Sequence, residues 1–184
     1  LNGDSYYELL IGRFATLQLL GLGVGNSEYI QEWDYLLDAD PTSVLVLDLE
    51  GDGEQEVIVG TSNGRIHAIG GDRGLRWLHA PGDEITFLRG IGSDAGESKG
   101  IVLVRRSHLT NADDLTLDLV ISHLEMRRLS GELRWSVPMD GDVTAVLVDG
   151  QINEDDGHIW VSLADGTLLN YDSEGTQVSA QKIG

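Results

Sequence analysis

The sequence contains no cysteine, which excludes disulfide bonds, thiolate nucleophiles and cysteine-based zinc sites. Lysine is nearly absent as well, because ten of the 12 basic residues are arginine. Against these stand 31 acidic residues, so the net charge is -19. The chain therefore lacks the positive charge with which proteins bind nucleic acids or anionic membranes, and neither is expected as a partner.

Long apolar runs and helical periodicity are also missing. No run comes near the roughly 20 residues of a membrane helix, so membrane insertion is not predicted. The 24 glycines and the alternating or short apolar runs indicate strands of about five residues instead. The pairs Asn63-Gly64 and Asp165-Gly166 are strong hairpin signals. The predicted strands lie at 43–49, 56–62, 64–70, 144–150, 158–164 and 167–173.

Internal repeats organise the chain. The segment LRWLHAPGDEIT at 75–86 recurs as LRWSVPMDGDVT at 133–144. The segment NGDSYYELLIG at 2–12 is matched by EGDGEQEVIVG at 50–60. One landmark position sets the period of the repeat. It holds Trp33, Trp77 and Trp135 in the first three units, and Val178 is predicted to take this place in the last one.

Units of about 40–50 residues with four strands each are typical of β-propeller blades. The predicted fold class is therefore all-β, with blades of four antiparallel strands, in one propeller segment over 1–184. The first unit lacks its innermost strand, so we expect three complete blades and one partial blade that belong to a larger propeller. A ring closed by these four units alone is the alternative. Approximate blade limits are 1–40, 42–82, 83–140 and 141–183.

The third unit is longer than the others. The polar segment RRSHLTNADD at 105–114 accounts for the difference and is predicted to form an extended hairpin loop. The chain's basic cluster, Arg105, Arg106, Arg127 and Arg128, lies in this unit. These arginines are predicted to pair with acids of adjacent blades, and contact with an acidic partner is the alternative.

Carboxylates occupy alternate positions in DLEGDGEQE, just before an apolar strand, namely Asp48, Glu50, Asp52, Glu54 and Glu56. Like charges this close repel one another unless something neutralises them. Side-chain oxygens at loop positions 1, 3, 5 and 9, with the backbone carbonyl of position 7, can surround a hard cation such as calcium. The sequence therefore predicts a Ca2+ site, and a solvated acidic turn without metal is the alternative.

The segment DLEGDGEQEVIVG resembles the signature of FG-GAP/VCBS-type repeats, found in propellers of integrin α-subunits and many bacterial surface proteins. That pattern is Asp-x-Asp-x-Asp-Gly-x-x-Asp/Glu before a strand, and Glu50 replaces its middle Asp. The resemblance implies that Asp48, Glu50, Asp52 and Glu56 are calcium ligands on a hairpin between the first two strands of a blade. The related loops at 2–8, 90–100 and 149–159 depart from the pattern, and at most weak metal binding is expected there.

Other apparent motifs fail on their context. Ser62 in GTSNG joins two strands, whereas a nucleophile elbow needs a strand followed by a helix, so a turn residue is predicted. His67 and His158 lie within strands and are expected to be packed or surface residues. The recurrence of tryptophan once per unit favours a role in docking neighbouring blades over a sugar-binding platform.

These features favour a non-catalytic binding or scaffold module, stabilised by calcium and exposed outside the cell or on its surface. Expected partners are further propeller blades or other protein subunits, with self-association of the isolated chain. One alternative is part of a propeller hydrolase or lyase whose site lies in the central channel. Another is a scaffold subunit of an intracellular complex, which would need no calcium.

Overall fold

The computed structural model describes residues 8–22, 28–92, 98–111, 114–149 and 157–183. Every regular element in these ranges is a β-strand, which confirms the all-β prediction. None of the described residues belongs to a helix long and apolar enough to cross a membrane. The strands are β1 Glu8–Arg13, β2 Thr16–Leu22, β3 Tyr29–Leu36, β4 Pro41–Leu47, β5 Glu56–Thr61, β6 Ile66–Ile69, β7 Leu75–His79, β8 Glu84–Gly92, β9 Ser98–Asn111, β10 Asp114–Arg127, β11 Leu133–Met139, β12 Val143–Asp149, β13 His158–Leu163, β14 Thr167–Tyr171 and β15 Gln177–Lys182.

The strands form four antiparallel sheets in which neighbours in sequence are also hydrogen-bonded neighbours. We call these sheets blade 1 (β1–β3), blade 2 (β4–β7), blade 3 (β8–β11) and blade 4 (β12–β15). Counting the described residues, blade 1 has three strands and each of the others has four. The predicted hairpins are confirmed, since Gly64 at φ 78° and Gly166 at φ 85° take the left-handed conformation that glycine adopts without strain.

In the part of the chain that the structure describes, the hydrophobic core consists of three clusters, and each lies between two successive blades. Side chains alternate between the two faces of a strand, so one strand can contribute to two clusters. In β5, Val57 and Val59 pack with blade 1, whereas Ile58 packs with blade 3. All six residues of β5 are buried. Burial on both faces explains why the middle of this strand, residues 57–60, is a continuous apolar run.

The prediction of a polar loop at 105–114 is wrong. The strand β9 continues to Asn111, and its residues from Ile101 to Asn111 pair with β10. The neighbouring strand β8 pairs with β9 only as far as Arg106, and β11 pairs with β10 only from Ser122. Residues 107–111 and 114–121 therefore form a two-stranded extension of blade 3, here called the extended ribbon. Polar residues do not conflict with strand structure there, because this part lies outside the four-stranded sheet.

The tryptophan alignment of the last unit is also wrong by one residue. Trp77 pairs with Ala68 of β6, and the equivalent position of blade 4 is Ser179, which pairs with Asn170 of β14. The reason lies in the preceding turn. Gly175, at φ 81°, takes the left-handed position that Arg73, at φ 67°, takes in blade 2, so the glycine is shifted relative to the earlier copy.

Candidate functional site

The acidic loop (48–56) connects β4 to β5 in blade 2, and its own carboxylates hold it in shape. Asp48 accepts hydrogen bonds from the backbone N–H groups of Gly51 at 2.6 Å and Gly53 at 2.9 Å. The N–H of Gly53 is the main reason why the pKa of Asp48 lies below its ordinary value. Asp52 accepts a third bond of 2.9 Å, from the N–H of Glu54.

Glu56 differs from the other carboxylates of the loop because only 1% of its surface is exposed. Its Oε2 accepts a hydrogen bond of 2.8 Å from the N–H of Leu49. Burial raises the pKa of Glu56, and the negative charges of Glu50 and Asp52 raise it further. The ionised loop is therefore under electrostatic stress that a bound cation or a proton would relieve.

An arginine from the fourth strand of the same blade supplies part of that relief. Arg76 of β7 places its Nε 3.4 Å from Oε1 of Glu50 and donates a hydrogen bond of 3.0 Å to Asp72. Its charge also acts on Glu56, where it opposes the rise in pKa. Sequence reasoning missed Arg76, because its distance along the chain from the loop gives no sign that the two meet.

The predicted calcium ligands share one loop, but they do not converge on one point. Asp48, Asp52 and Glu56 each direct an oxygen to a backbone N–H, and Glu50 faces Arg76. In the part of the chain that the structure describes, no three His, Asp or Glu side chains form a group that could hold a metal ion. Carboxylates keep lone pairs free beside such bonds, and hard oxygen donors suit calcium, so the loop remains chemically compatible with the ion.

The calcium site remains a prediction on these grounds. The carbonyl of Glu54, predicted as a further ligand, belongs to an exposed residue of the same loop. The departures from the metal pattern at 2–8, 90–100 and 149–159 fall largely outside the described residues.

Tryptophan docks neighbouring blades, as the sequence predicts. The indole of Trp77 in blade 2 packs with the cluster between blades 2 and 3, and Trp135 in blade 3 packs with the next cluster. Each indole Nε1 donates a hydrogen bond of 2.9 Å to a carbonyl in the following blade, that of Leu129 for Trp77 and that of Ser173 for Trp135. Each ring is thus fixed in an interface rather than presented to a ligand.

Blade 4 presents a different tryptophan on its face away from blade 3. Trp160 of β13 takes the position of the core residue Ile58 of blade 2, as their strand pairings show. It lines a groove of about 350 Å³ together with Leu147, whose surface is 62% exposed. The remaining lining residues are Ala145, Ser162 and Leu168. The equivalent face of blade 2 is buried against blade 3, and that of blade 3 is buried against blade 4.

The arginine cluster pairs mainly with acids of its own blade, which corrects the predicted pairing with adjacent blades. Glu125, 2% exposed, receives Arg105 at 2.6 Å and Arg127 at 2.7 Å. Arg106 pairs with Glu84 at 2.8 Å. The antiparallel pairing of β9 with both neighbours brings these side chains together at the base of the extended ribbon. Arg128 is exposed.

The connections between blades supply two further acids. Asp83 lies before β8 and contacts Arg105 at 2.6 Å, and Asp142 lies before β12, 3.7 Å from Arg106. The base of the ribbon is therefore fixed from both sides of the sheet.

The remaining candidates are structural residues, as predicted. Ser62 lies exposed in the turn between β5 and β6. His67 is 5% exposed, and its Nε2 lies 3.2 Å from Asp38. His158 lies in β13, where its Nδ1 is 3.1 Å from Oδ1 of Asn170.

Comparison with solved structures identifies the architecture. BBS1N, in a crystal structure of its complex with ARL6DN, superposes with a TM-score of 0.63 at 15% sequence identity, over 95% of this chain and 50% of that one. BamB from Moraxella catarrhalis gives a TM-score of 0.60 at 14% identity, over 98% of this chain and 46% of that one. A protein of unknown function from Bacteroides caccae gives 0.59 at 15% identity, over 98% and 59%.

BBS1N and BamB are β-propellers, and the chain shares their fold. It spans about half the length of these structures. No protein-family model matches the sequence, and no curated protein matches it.

Proposed function

We propose that this chain is a propeller segment that acts as a non-catalytic scaffold and binds other proteins. The observation that carries the proposal is the extended ribbon, which projects from blade 3 beyond the pairing of both neighbouring strands. Its base is held by buried or half-buried ion pairs around Glu125, so it leaves the blade at a fixed place. A two-stranded ribbon that projects from a sheet suits binding to another chain.

The comparison with BBS1N supports the same proposal by analogy. That propeller was crystallised in complex with another protein, ARL6DN. A likeness of fold at 15% identity does not transfer the partner, so the partner of this chain has to be found by experiment.

The test is to replace residues 107–121 by an Asn-Gly turn between Arg106 and Ser122, which are already cross-strand partners. Native cross-linking and mass spectrometry would compare the partners of the two forms in the source cell. We expect wild type to form a specific complex that the shortened form loses while it melts at the same temperature. Equal recovery of the same partners by both forms would contradict a binding role of the ribbon.

We further propose that calcium stabilises blade 2 through the acidic loop. Asp48, Glu50, Asp52 and Glu56 would offer side-chain oxygens, and Glu54 its carbonyl. Burial is the main reason why the pKa of Glu56 is raised, and calcium would remove the smaller contribution that comes from repulsion by Glu50 and Asp52. Because millimolar calcium is met outside cells, this proposal goes with an extracellular or surface location, whereas insensitivity to calcium would favour an intracellular complex.

The calcium proposal is tested by Asp52→Ala with Asp165→Ala as its matched control. Each aspartate accepts a hydrogen bond of 2.9 Å from the N–H two residues later, so both substitutions remove the same kind of turn bond. We expect millimolar calcium to raise the melting temperature of wild type and of the control, but not of Asp52→Ala. Equal melting of wild type in calcium and in chelator would refute the site.

A further inference from the structure

The turn between β10 and β11 has the same backbone hydrogen bonds as the turn between β6 and β7, but it carries different side chains. The N–H of Arg128 donates to the carbonyl of Glu132 at 2.9 Å, as the N–H of Gly70 does to that of Gly74 at 2.9 Å. The pairing of the flanking strands agrees with this alignment. The corresponding residues of blades 3 and 2 are therefore Arg128 and Gly70, Ser130 and Asp72, Glu132 and Gly74, and Arg134 and Arg76.

In blade 2 this turn holds an arginine with a carboxylate of its own. Asp72 accepts a hydrogen bond of 3.0 Å from Nη1 of Arg76 and one of 2.8 Å from the N–H of Gly74. The guanidinium lies close against the backbone of Gly70, where an added Cβ would be 2.4 Å from Cζ of Arg76. The ion pair of blade 2 therefore needs both the aspartate and the glycine.

Blade 3 keeps the arginine but has neither of these two residues. Ser130 supplies no charge, and the side chain of Arg128 stands where blade 2 has only a glycine. Arg134 therefore cannot take the position of Arg76 and pairs with Glu174 of blade 4 instead. Both side chains of that pair are exposed, so it contributes little stability, and Arg134 can exchange Glu174 for another anion at small cost.

A cavity of about 280 Å³ lies at this turn, and we call it the arginine pocket. Its lining residues are Met126, Arg127, Arg128 and Arg134. Arg127 is held by Glu125 at 2.7 Å and by the carbonyl of Gly131 at 2.9 Å, so it is already neutralised. Among the described residues, the exposed side chain of Arg128 has no hydrogen bond or ion pair. Arg128 and Arg134 are therefore the two arginines available to a ligand.

We propose that the arginine pocket binds a phosphate group, as the free ion or as part of a small phosphate ester. The phosphate takes the place that the carboxylate of Asp72 has in blade 2. Arg128 and Arg134 donate to its oxygens, and guanidinium groups match phosphate oxygens with paired N–H donors. The N–H of Glu132 occupies the position from which Gly74 donates to Asp72.

The charges of the site favour phosphate over a carboxylate. Blade 2 matches one arginine with one carboxylate, whereas two available arginines match the double charge that a phosphate group carries above about pH 6. Two exposed carboxylates, Glu132 in the same turn and Glu174 beside Arg134, act against any anion. The inference depends on neither the acidic loop nor the extended ribbon, so it can hold where those proposals fail.

The test is isothermal titration calorimetry of the full 184-residue chain with inorganic phosphate and, separately, with glycerol 3-phosphate. Both titrations use pH 8 and a chloride buffer of constant ionic strength. We expect saturable binding, and tighter binding of the ester than of the ion would identify an ester as the ligand. Arg128→Gln should weaken binding by about tenfold or more, because it removes a charged donor. Arg13→Gln removes the same charge from an exposed site in blade 1 and should bind as wild type does.

A second pair of variants tests the comparison with blade 2. Ser130→Asp places a carboxylate at the position of Asp72, so it should compete with phosphate and weaken binding. Ser130→Asn has nearly the same size without the charge and should bind as wild type does. Circular dichroism should show that all variants fold. No saturable binding of either compound, equal weakening by the two arginine variants, or unchanged binding by Ser130→Asp would each overturn the proposal.

Discussion

The indole nitrogen of Trp77 in blade 2 donates a hydrogen bond of 2.9 Å to the backbone carbonyl of Leu129 in blade 3. The two residues are 52 positions apart, so this bond forms only when the blades dock. Trp135 repeats it one blade later with Ser173. A side chain that both fills a core and donates to the next blade joins successive blades in a fixed orientation.

Trp77→Phe should lower the free energy of unfolding by about 1–3 kcal/mol, since the carbonyl of Leu129 loses its donor. Trp160→Phe is the control, because Trp160 lies on the open face of blade 4 and makes no such bond to a following blade. Chemical denaturation followed by circular dichroism measures both. Equal destabilisation by the two substitutions would mean that the hydrogen bond has no special weight.

Gly175→Ala should destabilise blade 4 docking in two ways. Gly175 has φ 81°, which strains any other residue, and its Cβ position lies 2.7 Å from the ring of Trp135. Gly82→Ala carries only the first penalty, since Gly82 has φ 76° and no atom within 4 Å of the added Cβ. The backbone strain costs about 1–2 kcal/mol in each case, and the clash should add about 1 kcal/mol or more at Gly175. Melting temperatures that fall equally would show that Trp135 moves aside.

Glu125→Gln should cost about 3–5 kcal/mol, because it leaves the buried guanidinium of Arg127 without a charged partner. The matched control is Glu174→Gln at the exposed pair with Arg134, where a change below about 1 kcal/mol is expected. Added salt should weaken the exposed pair more than the buried one. Urea unfolding at two salt concentrations measures both effects, and a neutral result for Glu125→Gln would show that the buried pair adds no net stability.

The buried carboxylate of the acidic loop predicts how stability varies with pH. The pKa of Glu56 is higher in the folded state than in the unfolded chain, so folding favours its protonated form. Its contribution to stability should therefore fall as the pH rises from the unfolded value through the folded value. In chelator at neutral pH, Glu56→Gln should melt at a higher temperature than wild type, and this gain should shrink in acid.

Calcium should reverse that order, because glutamine is a poorer ligand than a carboxylate. Thermal melting at pH 7 with calcium and with chelator separates the two effects. A variant that is less stable than wild type in chelator would contradict the electrostatic stress assigned to Glu56.

The position of the ribbon base predicts which deletion the fold tolerates. Replacing 107–121 by an Asn-Gly turn keeps Arg105 and Arg106 and should leave the melting temperature nearly unchanged. Replacing 105–114 removes both arginines, leaves Asp83 and Glu84 without those partners and Glu125 with Arg127 alone, and should destabilise the chain. Differential scanning calorimetry of the two deletion variants decides the point, and equal stability would show that the ion pairs at the base are dispensable.

Sequence patterns predicted the parts of this fold that depend on local chemistry. Alternating apolar residues and short apolar runs located β4, β5 and β12 to within two residues, and Gly64 marked its hairpin, because strand patterns and a left-handed turn are properties of short segments. The docking role of Trp77 was predictable for a related reason. A residue that recurs once per repeat meets the same surroundings in each interface.

The features that the sequence did not predict are contacts and alignments that depend on residues far apart in the chain. Nothing in the neighbourhood of Glu50 shows that Arg76 approaches it, because β4 and β7 lie at opposite edges of one sheet and the contact depends on the fold of blade 2. The sequence did not predict the extended ribbon, because strands that lie outside the four-stranded sheet need no apolar pattern. The predicted counterpart of Trp77 in blade 4 was Val178, one residue before the observed Ser179. The alignment was off because the same left-handed turn position holds Gly175 in blade 4 and Arg73 in blade 2.

The two faces of β5 belong to different cores, and this arrangement makes each blade a nearest-neighbour unit in a linear array. A loosened contact at Val59 weakens the coupling to blade 1, and one at Ile58 weakens the coupling to blade 3. Among the described residues, blades 2 and 3 share core clusters on two sides and blades 1 and 4 on one, so amide exchange should be slowest in β5 and β9 and quicken toward β15. Local unfolding of this segment should then begin in blades 1 and 4 and reach blades 2 and 3 last.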